Sequence, residues 1–350
     1  MKHINALKQS VEKQGKPSNL AIFNPINIIY FSGFSEAVAL LLTEQNEGIL
    51  YVSTTNYERA KAEVKNFTVE PIKRGEKLVD KISEQIQCKK LAVDTLPIES
   101  WRALAKAVGG EEKLEPVNNL IVELRKIKDE QEIKLIRQAC KLADIGMQTA
   151  AEIIRPGMKE NEVAAEVEYA MRRAGSDGTA FDTIVASGFC CAYPHGAAQE
   201  RTIEEGDFVV VDLGAKYRFY CSDITRTLIA GKPSEKQARM FQTIQRAQQK
   251  AIEVIKPSVA AKDVDAVARL VVEEAGFCDY FVHNLGHGVG LEVHEGPVLS
   301  PDSKDVLEAG NVVTVEPGIY LPGFGGVRIE DTVLVTKSGA EKLTSANCSV

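Results

Sequence analysis

The chain has 350 residues, 44% apolar and 26% charged, enough for two domains with a sizeable core. Its formal net charge of −7 argues against a nucleic-acid partner, which asks for a basic face. Residues 1–20 scatter Lys2, Lys8, Glu12, Lys13 and Lys16 among their apolar positions, so no signal-peptide core is read there, and no run of about 18 apolar residues offers a membrane span. The seven cysteines form no CxxC pair, which points to a reduced, cytoplasmic protein with buried thiols.

In chain order, residues 19–23, 38–42, 48–52 and 90–93 read as strands, with helices predicted over 55–64, 75–86 and 99–108. This alternation is an α/β pattern. No glycine fingerprint follows the first strand, so a nucleotide site is not indicated. The charged run 123–132 (ELRKIKDEQE) reads as a junction, giving an α/β domain over 1–122 and a second domain over 123–350. A long helical period follows over 129–154, carried by Ile133, Ile136, Ala139, Leu142, Ile145 and Met147.

The second domain repeats itself. Residues 153–175 (IIRPGMKENEVAAEVEYAMRRAG) match 254–276 (VIKPSVAAKDVDAVARLVVEEAG), and 206–214 (GDFVVVDLG) match 310–318 (GNVVTVEPG), which sets Asp212 on Glu316. His195 and His294 fall at roughly matching places. Each half is expected to be a proline-opened helix followed by an acid-bearing strand, the two halves facing across a cleft.

The acids carry the chemistry. The apolar run 208–211 ends in Asp212, and Asp223 follows eleven residues later; the run 312–315 ends in Glu316, and Glu330 follows fourteen residues later. A hairpin turn between the members of each pair would set them on neighbouring strands. One acid at a strand end can be a rim ion pair. Four in a two-by-two arrangement, beside a histidine, suit two divalent cations with bridging carboxylates. That histidine is His287, bracketed by Gly286 and Gly288, where backbone can approach a ligand closely. A two-metal site lowers the pKa of water and polarises a carbonyl, so the expected chemistry is hydrolysis. His283, His294 and His195 are left for the substrate side, as donors to an oxyanion or a leaving amine.

At these residues the chain resembles a known family. The motifs DLGA and SDITRT, HNLGHGVGLEVHE, TVEPGIY and GGVRIED resemble those of the metallopeptidases with the pita-bread fold, which include methionine aminopeptidases, aminopeptidase P and prolidase, the Xaa-Pro dipeptidase. The stretch 27–34 (NIIYFSGF) is similar to the amino-terminal domain of the proline-specific branch. The resemblance implies an α/β creatinase/prolidase-type first domain, for dimerisation or substrate gating, ahead of a pseudo-twofold pita-bread catalytic domain. It implies that Asp212 chelates one metal, that His287 and Glu316 hold the other, and that Asp223 and Glu330 bridge. Glu316 would handle the proton beside a metal-bridging hydroxide, and His294 would stabilise the tetrahedral intermediate. His195 and His283 would line the substrate pocket, and Arg328 would orient Glu330 or contact substrate. Two manganese ions are expected, with cobalt or zinc as alternatives, along with a homodimer and a peptide substrate with proline second. Two positions depart from the family: Phe219 stands where a glycine is common, and Cys190-Cys191 where polar residues are common.

The activity implied is Xaa-Pro dipeptidase, with aminopeptidase P as the alternative. Methionine aminopeptidases usually lack the opening domain. A creatinase-like, metal-free hydrolase or a non-catalytic binding module on this fold would have lost ligands that are intact here.

Overall fold

The structure is a computed structural model that describes residues 2–45, 48–87, 89–194 and 196–347. The chain divides into two compact units, residues 1–125 and 126–350. The first is built on strands β1 (Leu20–Ile22), β2 (Ala37–Leu42), β3 (Gly48–Ser53), β4 (Thr68–Ile72), β5 (Leu91–Val93) and β6 (Leu114–Pro116), in the order β4-β3-β2-β1-β5-β6. β2 runs antiparallel to β1 and β3; the other neighbours are parallel. The four strands predicted from sequence are its four inner strands, whose near-continuous apolar runs are what a sheet covered on both faces requires. The two edges, TVEPI and LEP, carry Pro71 and Pro116 and read poorly as strands, yet an edge is where proline is tolerated.

The three predicted helices are present as Tyr57–Glu63, Leu78–Ile86 and Ile98–Val108. Asn118–Lys126, which runs into the predicted junction, and Glu235–Val254 went unread, as did two helices near the start of the chain. Lys2–Lys13 buries Ile4, Leu7 and Val11 along one face. Pro25–Ser32 has Asn24 as N-cap, proline in its first turn and Gly33 at φ +72° closing its end, the signals that start and stop a helix.

The second unit opens with the helix Glu130–Ile153, fixed by a capping box between Asp129 and Glu132. Its strands are β7 (Gly178–Thr179), β8 (Ile184–Ser187), β9 (Phe208–Leu213), β10 (Ala215–Tyr217), β11 (Tyr220–Cys221) and β12 (Ile224–Ile229) in the first half. The second half holds β13 (Gly286–Gly288), β14 (Glu295–Leu299), β15 (Val312–Val315), β16 (Gly318–Leu321), β17 (Gly325–Arg328), β18 (Asp331–Val335) and β19 (Ala340–Lys342). They form sheets ordered β12-β9-β8, β11-β10-β7, β14-β13-β15-β18-β19 and β16-β17.

The two halves are structurally related down to single hydrogen bonds. Gly157 N donates to Ile203 O (2.9 Å) as Ser258 N donates to Leu307 O (2.8 Å). Ile203 N donates to Met158 O as Leu307 N does to Val259 O, and Glu160 N to Arg201 O as Ala261 N to Asp305 O. The repeat helices are Glu160–Arg173 and Ala261–Glu274. Pro156 and Pro257 do not open them, as the sequence suggested; they stand in the preceding turns, ahead of residues that need a left-handed backbone, Gly157 (φ +95°) and Ser258 (φ +71°). Nor does a simple turn separate the acids of each pair: the hairpin β10–β11 lies between Asp212 and Asp223, and β16–β17 between Glu316 and Glu330. At the tip of the first hairpin Phe219 adopts φ +75° beside Arg218 at φ +46°, the left-handed backbone for which glycine is suited.

Strand alternation aims the acids. Along β9, Phe208 and Val210 enter one core cluster while Val209, Val211 and Leu213 enter another, so Asp212 points with Phe208 and Val210. No helix among the described residues is long and apolar enough to cross a membrane.

Candidate active site

The four acids come from matched places. Asp212 lies in β9 opposite Thr225 of β12, and Asp223 immediately precedes β12. Glu316 immediately follows β15, and Glu330 immediately precedes β18, with Val315 opposite Asp331. β13 sets His287 beside β15. A Cβ on Gly286 would come within 2.1 Å of Thr314 O, and one on Gly288 within 2.1 Å of Gly296 O. The glycine bracket therefore admits the flanking strands rather than a ligand, correcting the sequence reading.

These residues line one cavity of about 830 Å³. Asp212, Asp223, His287, Glu316 and Glu330 all face it, with His283, His294 and Arg328. His195 lies outside the described residues; its neighbours Pro194 and Gly196 line the cavity. His287 Nε2 is 3.2 Å from Glu316 Oε1 and 3.7 Å from Asp223 Oδ2. One ligand atom each from Asp223, His287 and Glu330 lies within 4.8 Å of the others. The His294 ring centroid is 4.2 Å from that of His287.

Of the residues that hold these groups, sequence reasoning named Arg328 and missed Thr225, Tyr320 and Thr314. Thr225 Oγ1 donates to Glu330 Oε2 (2.7 Å) and accepts from Arg328 Nε (3.1 Å). Arg328 also donates to Asp212 Oδ2, to the Tyr320 hydroxyl (2.9 Å) and to Pro194 O (3.0 Å). Tyr320 in turn reaches His283 Nε2 at 2.9 Å, while His283 Nδ1 lies 2.7 Å from Asn284 O. A carbonyl only accepts, so Nδ1 carries the proton and Nε2 accepts from tyrosine. Thr314 Oγ1 accepts from His287 N and donates to Glu316 Oε1, both at 3.0 Å. His287 Nδ1 lies 3.1 Å from Gly288 O, which turns Nε2 toward the carboxylates. Thr225 and Tyr320 sit inside the quoted motifs, but only their partners reveal what they do.

Burial, then the charges of Glu330, Asp212 and Glu316, pushes the Asp223 carboxyl well above the usual range. Burial, then the charges of Glu316 and Asp212, does likewise to Glu330. Burial would also raise Glu316, but the His287 hydrogen bond and charge, aided by His283 and Arg328, outweigh it and hold Glu316 at about 2. Burial lowers the pKa of His283, in keeping with a neutral ring. Asp212 Oδ1 and Asp223 Oδ1 are buried with no hydrogen-bond partner in the structure. Buried carboxylate oxygens left without partners beside a neutral-capable imidazole are the donor set a divalent cation completes, so the residues fit a metal centre.

Residues 134–337 match metallopeptidase family M24, and residues 4–127 match the creatinase/prolidase N-terminal domain. The chain belongs to metallopeptidase family M24, joining an α/β creatinase/prolidase-type domain to a pita-bread catalytic domain in a family that works with divalent metal ions. It is 46% identical to the Xaa-Pro dipeptidase of Pyrococcus horikoshii over 343 residues, 97% of this chain and 96% of that one. The structure of the Xaa-Pro dipeptidase from Bacillus anthracis superposes with a TM-score of 0.94 at 36% identity, over 100% of this chain and 99% of that one. That of an X-Pro aminopeptidase from Thermotoga maritima gives 0.89 at 36% identity, over 97% and 99%.

Proposed function

We propose that the chain is an Xaa-Pro dipeptidase whose centre is the cavity where three buried carboxylates and the half-buried Glu316 meet His287. The observation that carries the reading is the pair of partnerless oxygens on Asp212 and Asp223 within that cluster. The full-length similarity to enzymes named Xaa-Pro dipeptidase supports the substrate class. Asp212, Asp223, His287, Glu316 and Glu330 hold two divalent cations; a carboxylate-rich set favours manganese over zinc. Divalent cations held there supply an activated water and polarise the scissile carbonyl.

The chain's own groups do the rest. Glu316, oriented by Thr314, would accept the proton that the activated water releases. His294, beside His287, donates to the developing oxyanion. His283, kept neutral by burial and fixed by Tyr320, lines the leaving-group side. Arg328 holds Asp212 and, through Thr225, Glu330. Phe181, Ile184 and Val298 offer apolar surface for a proline ring, and a cavity of about 830 Å³ has room for a small peptide. The same reading includes a homodimer using residues 1–122 and a cytoplasmic location.

Aminopeptidase P is the second reading. Val298 lines the cavity, and Arg328 is the only arginine or lysine among its described lining residues, so a free proline carboxylate has no dedicated cation there. The test strips the protein with chelator, restores manganese, and compares proline release from Gly-Pro with cleavage of a Gly-Pro-Yaa tripeptide. Asp223→Asn serves as the control for a contaminating peptidase. Metal-dependent cleavage of the dipeptide alone supports the dipeptidase. Cleavage of the tripeptide, with the dipeptide left intact, overturns it in favour of the aminopeptidase.

A further inference from the structure

One of the buried positions at which the two halves differ carries a charge in only one of them. Glu160 begins the helix Glu160–Arg173 and is 1% exposed, yet no step proposed above uses it. Its Oε1 accepts from Ser187 N (2.7 Å) and Ser187 Oγ (2.6 Å), and its Oε2 accepts from Gln199 N (3.2 Å). Ser187 ends β8, and Gln199 lies where the chain returns to that helix, Asn161 N donating to Gln199 O (3.0 Å). One carboxylate thus ties the entry and the exit of the segment 188–198. Pro194, Gly196 and Ala197 of that segment line the cavity, and Pro194 O takes a hydrogen bond from Arg328.

The other half places its buried helix acid one turn further on, at Asp265, which accepts from Leu285 N (3.1 Å) and from Arg269. The matching residue of the other half is Ala261, fully buried and with the same backbone bond, its N–H donating to Asp305 O (2.9 Å). What differs is the adjoining chain. In the second half β13 is flanked by β14, whose ladder fixes the residues after His294. In the first half β8 is an edge strand, and residues 196–201 form no strand. The carboxylate at a helix N-terminus, accepting charge-assisted bonds from both stems, replaces the missing ladder.

We infer that Glu160 is a positioning residue for substrate binding: by tying Ser187 to Gln199 it keeps Pro194, Gly196 and Ala197 in place along the cavity, and with them the Pro194 carbonyl. The inference rests on the reading of the cavity as the peptide site. Glu160→Ala, which installs the residue of the other half, and Glu160→Gln, which keeps an acceptor for Ser187 but offers no anion to Gln199 N, are compared with wild type in the manganese-loaded protein. The expected result for Glu160→Ala is a KM for Gly-Pro raised about tenfold, with kcat within about twofold and bound metal unchanged. Glu160→Gln falls between. Phe189, exposed within the segment and followed by Cys190, serves as a chymotrypsin site: cleavage there is slow in wild type and faster in both variants.

Unchanged KM and unchanged cleavage in a folded Glu160→Ala protein overturn the inference. So does a joint fall of metal content, kcat and melting temperature, the mark of a purely structural carboxylate. If Glu160→Ala does not fold, the same two comparisons on Glu160→Gln decide. The chymotrypsin readout needs no substrate, so a wild type inactive on Gly-Pro counts against the dipeptidase reading while the clamp is still judged by cleavage.

Discussion

Ser258 and Gly157 hold one place in the repeat, make the same backbone hydrogen bond and share a left-handed backbone, at φ +71° and +95°. Only one of them is a glycine. An L-residue in that region costs about 1 kcal/mol, which glycine avoids. Ser258 is exposed, so replacing it removes no packing. Ser258→Gly should therefore raise stability by about 0.5–1 kcal/mol with activity unchanged. Denaturant unfolding checks this, and an unaltered or lower midpoint sinks it. Arg328 is the opposite case, a residue whose every donor direction matters. Its planar fork reaches Asp212, Thr225, Tyr320 and Pro194 O at once, an array a lysine ammonium cannot reproduce. Arg328→Lys should keep the charge and still lower kcat/KM by about a hundredfold, since Asp212 and Glu330 lose their shared brace. A loss under threefold would show that charge alone suffices.

Between elements, the halves exchange threonines. Thr225, two residues after Asp223, bonds the Glu330 carboxylate, and Thr332, two after Glu330, bonds Asp223 O at 2.7 Å. Thr225→Val keeps the shape and removes both the donor to Glu330 and the acceptor for Arg328. It should cost about 1–3 kcal/mol of stability and weaken metal retention, read by dialysis followed by metal analysis. Undiminished metal content would mean that the strands, not the hydroxyl, fix Glu330. None of this pairing was legible in the sequence, because it joins residues more than one hundred positions apart, in chain segments whose own patterns are silent about each other. The acids and His287 could be read because a polar residue at the end of an apolar run is costly without a purpose. The inner strands of the first sheet were legible as continuous apolar runs, while edges β4 and β6 were hidden by proline and charge. The hairpins β10–β11 and β16–β17 were hidden for a different reason. Strands of two to four residues have no period to display, and tertiary packing alone decides them. The helix Pro25–Ser32 was legible through Asn24, Pro25 and Gly33 and was passed over.

Across the second unit, the fold concentrates negative charge at its centre, and that has a consequence for stability. The carboxyls of Asp223 and Glu330 lie well above their ordinary range in the fold, chiefly through burial. A group whose folded pKa is raised stabilises the fold fully below its unfolded pKa of about 4, and that contribution is lost as pH rises through the folded value. Glu316, held at about 2, works the other way: its contribution is present above about 4.3 and is lost as pH falls toward 2. His287, raised through Glu316 against the lowering effect of burial, stabilises below about 6.5 and ceases to as pH climbs past its folded value. Metal-free protein should therefore lose stability from about pH 5 toward pH 8. Cations reverse this, since they replace the protons those carboxylates would otherwise keep. Asp223→Asn isolates the term. Without metal at pH 8 the variant should melt about 3 °C or more above wild type, because a repelled buried charge is gone, and the gap should close by pH 4. With manganese the order should invert, wild type gaining stability that the variant cannot. A metal-free Asp223→Asn protein less stable than wild type at pH 8 would mean that the carboxylate is compensated within the fold, and that the cavity was not built around missing cations.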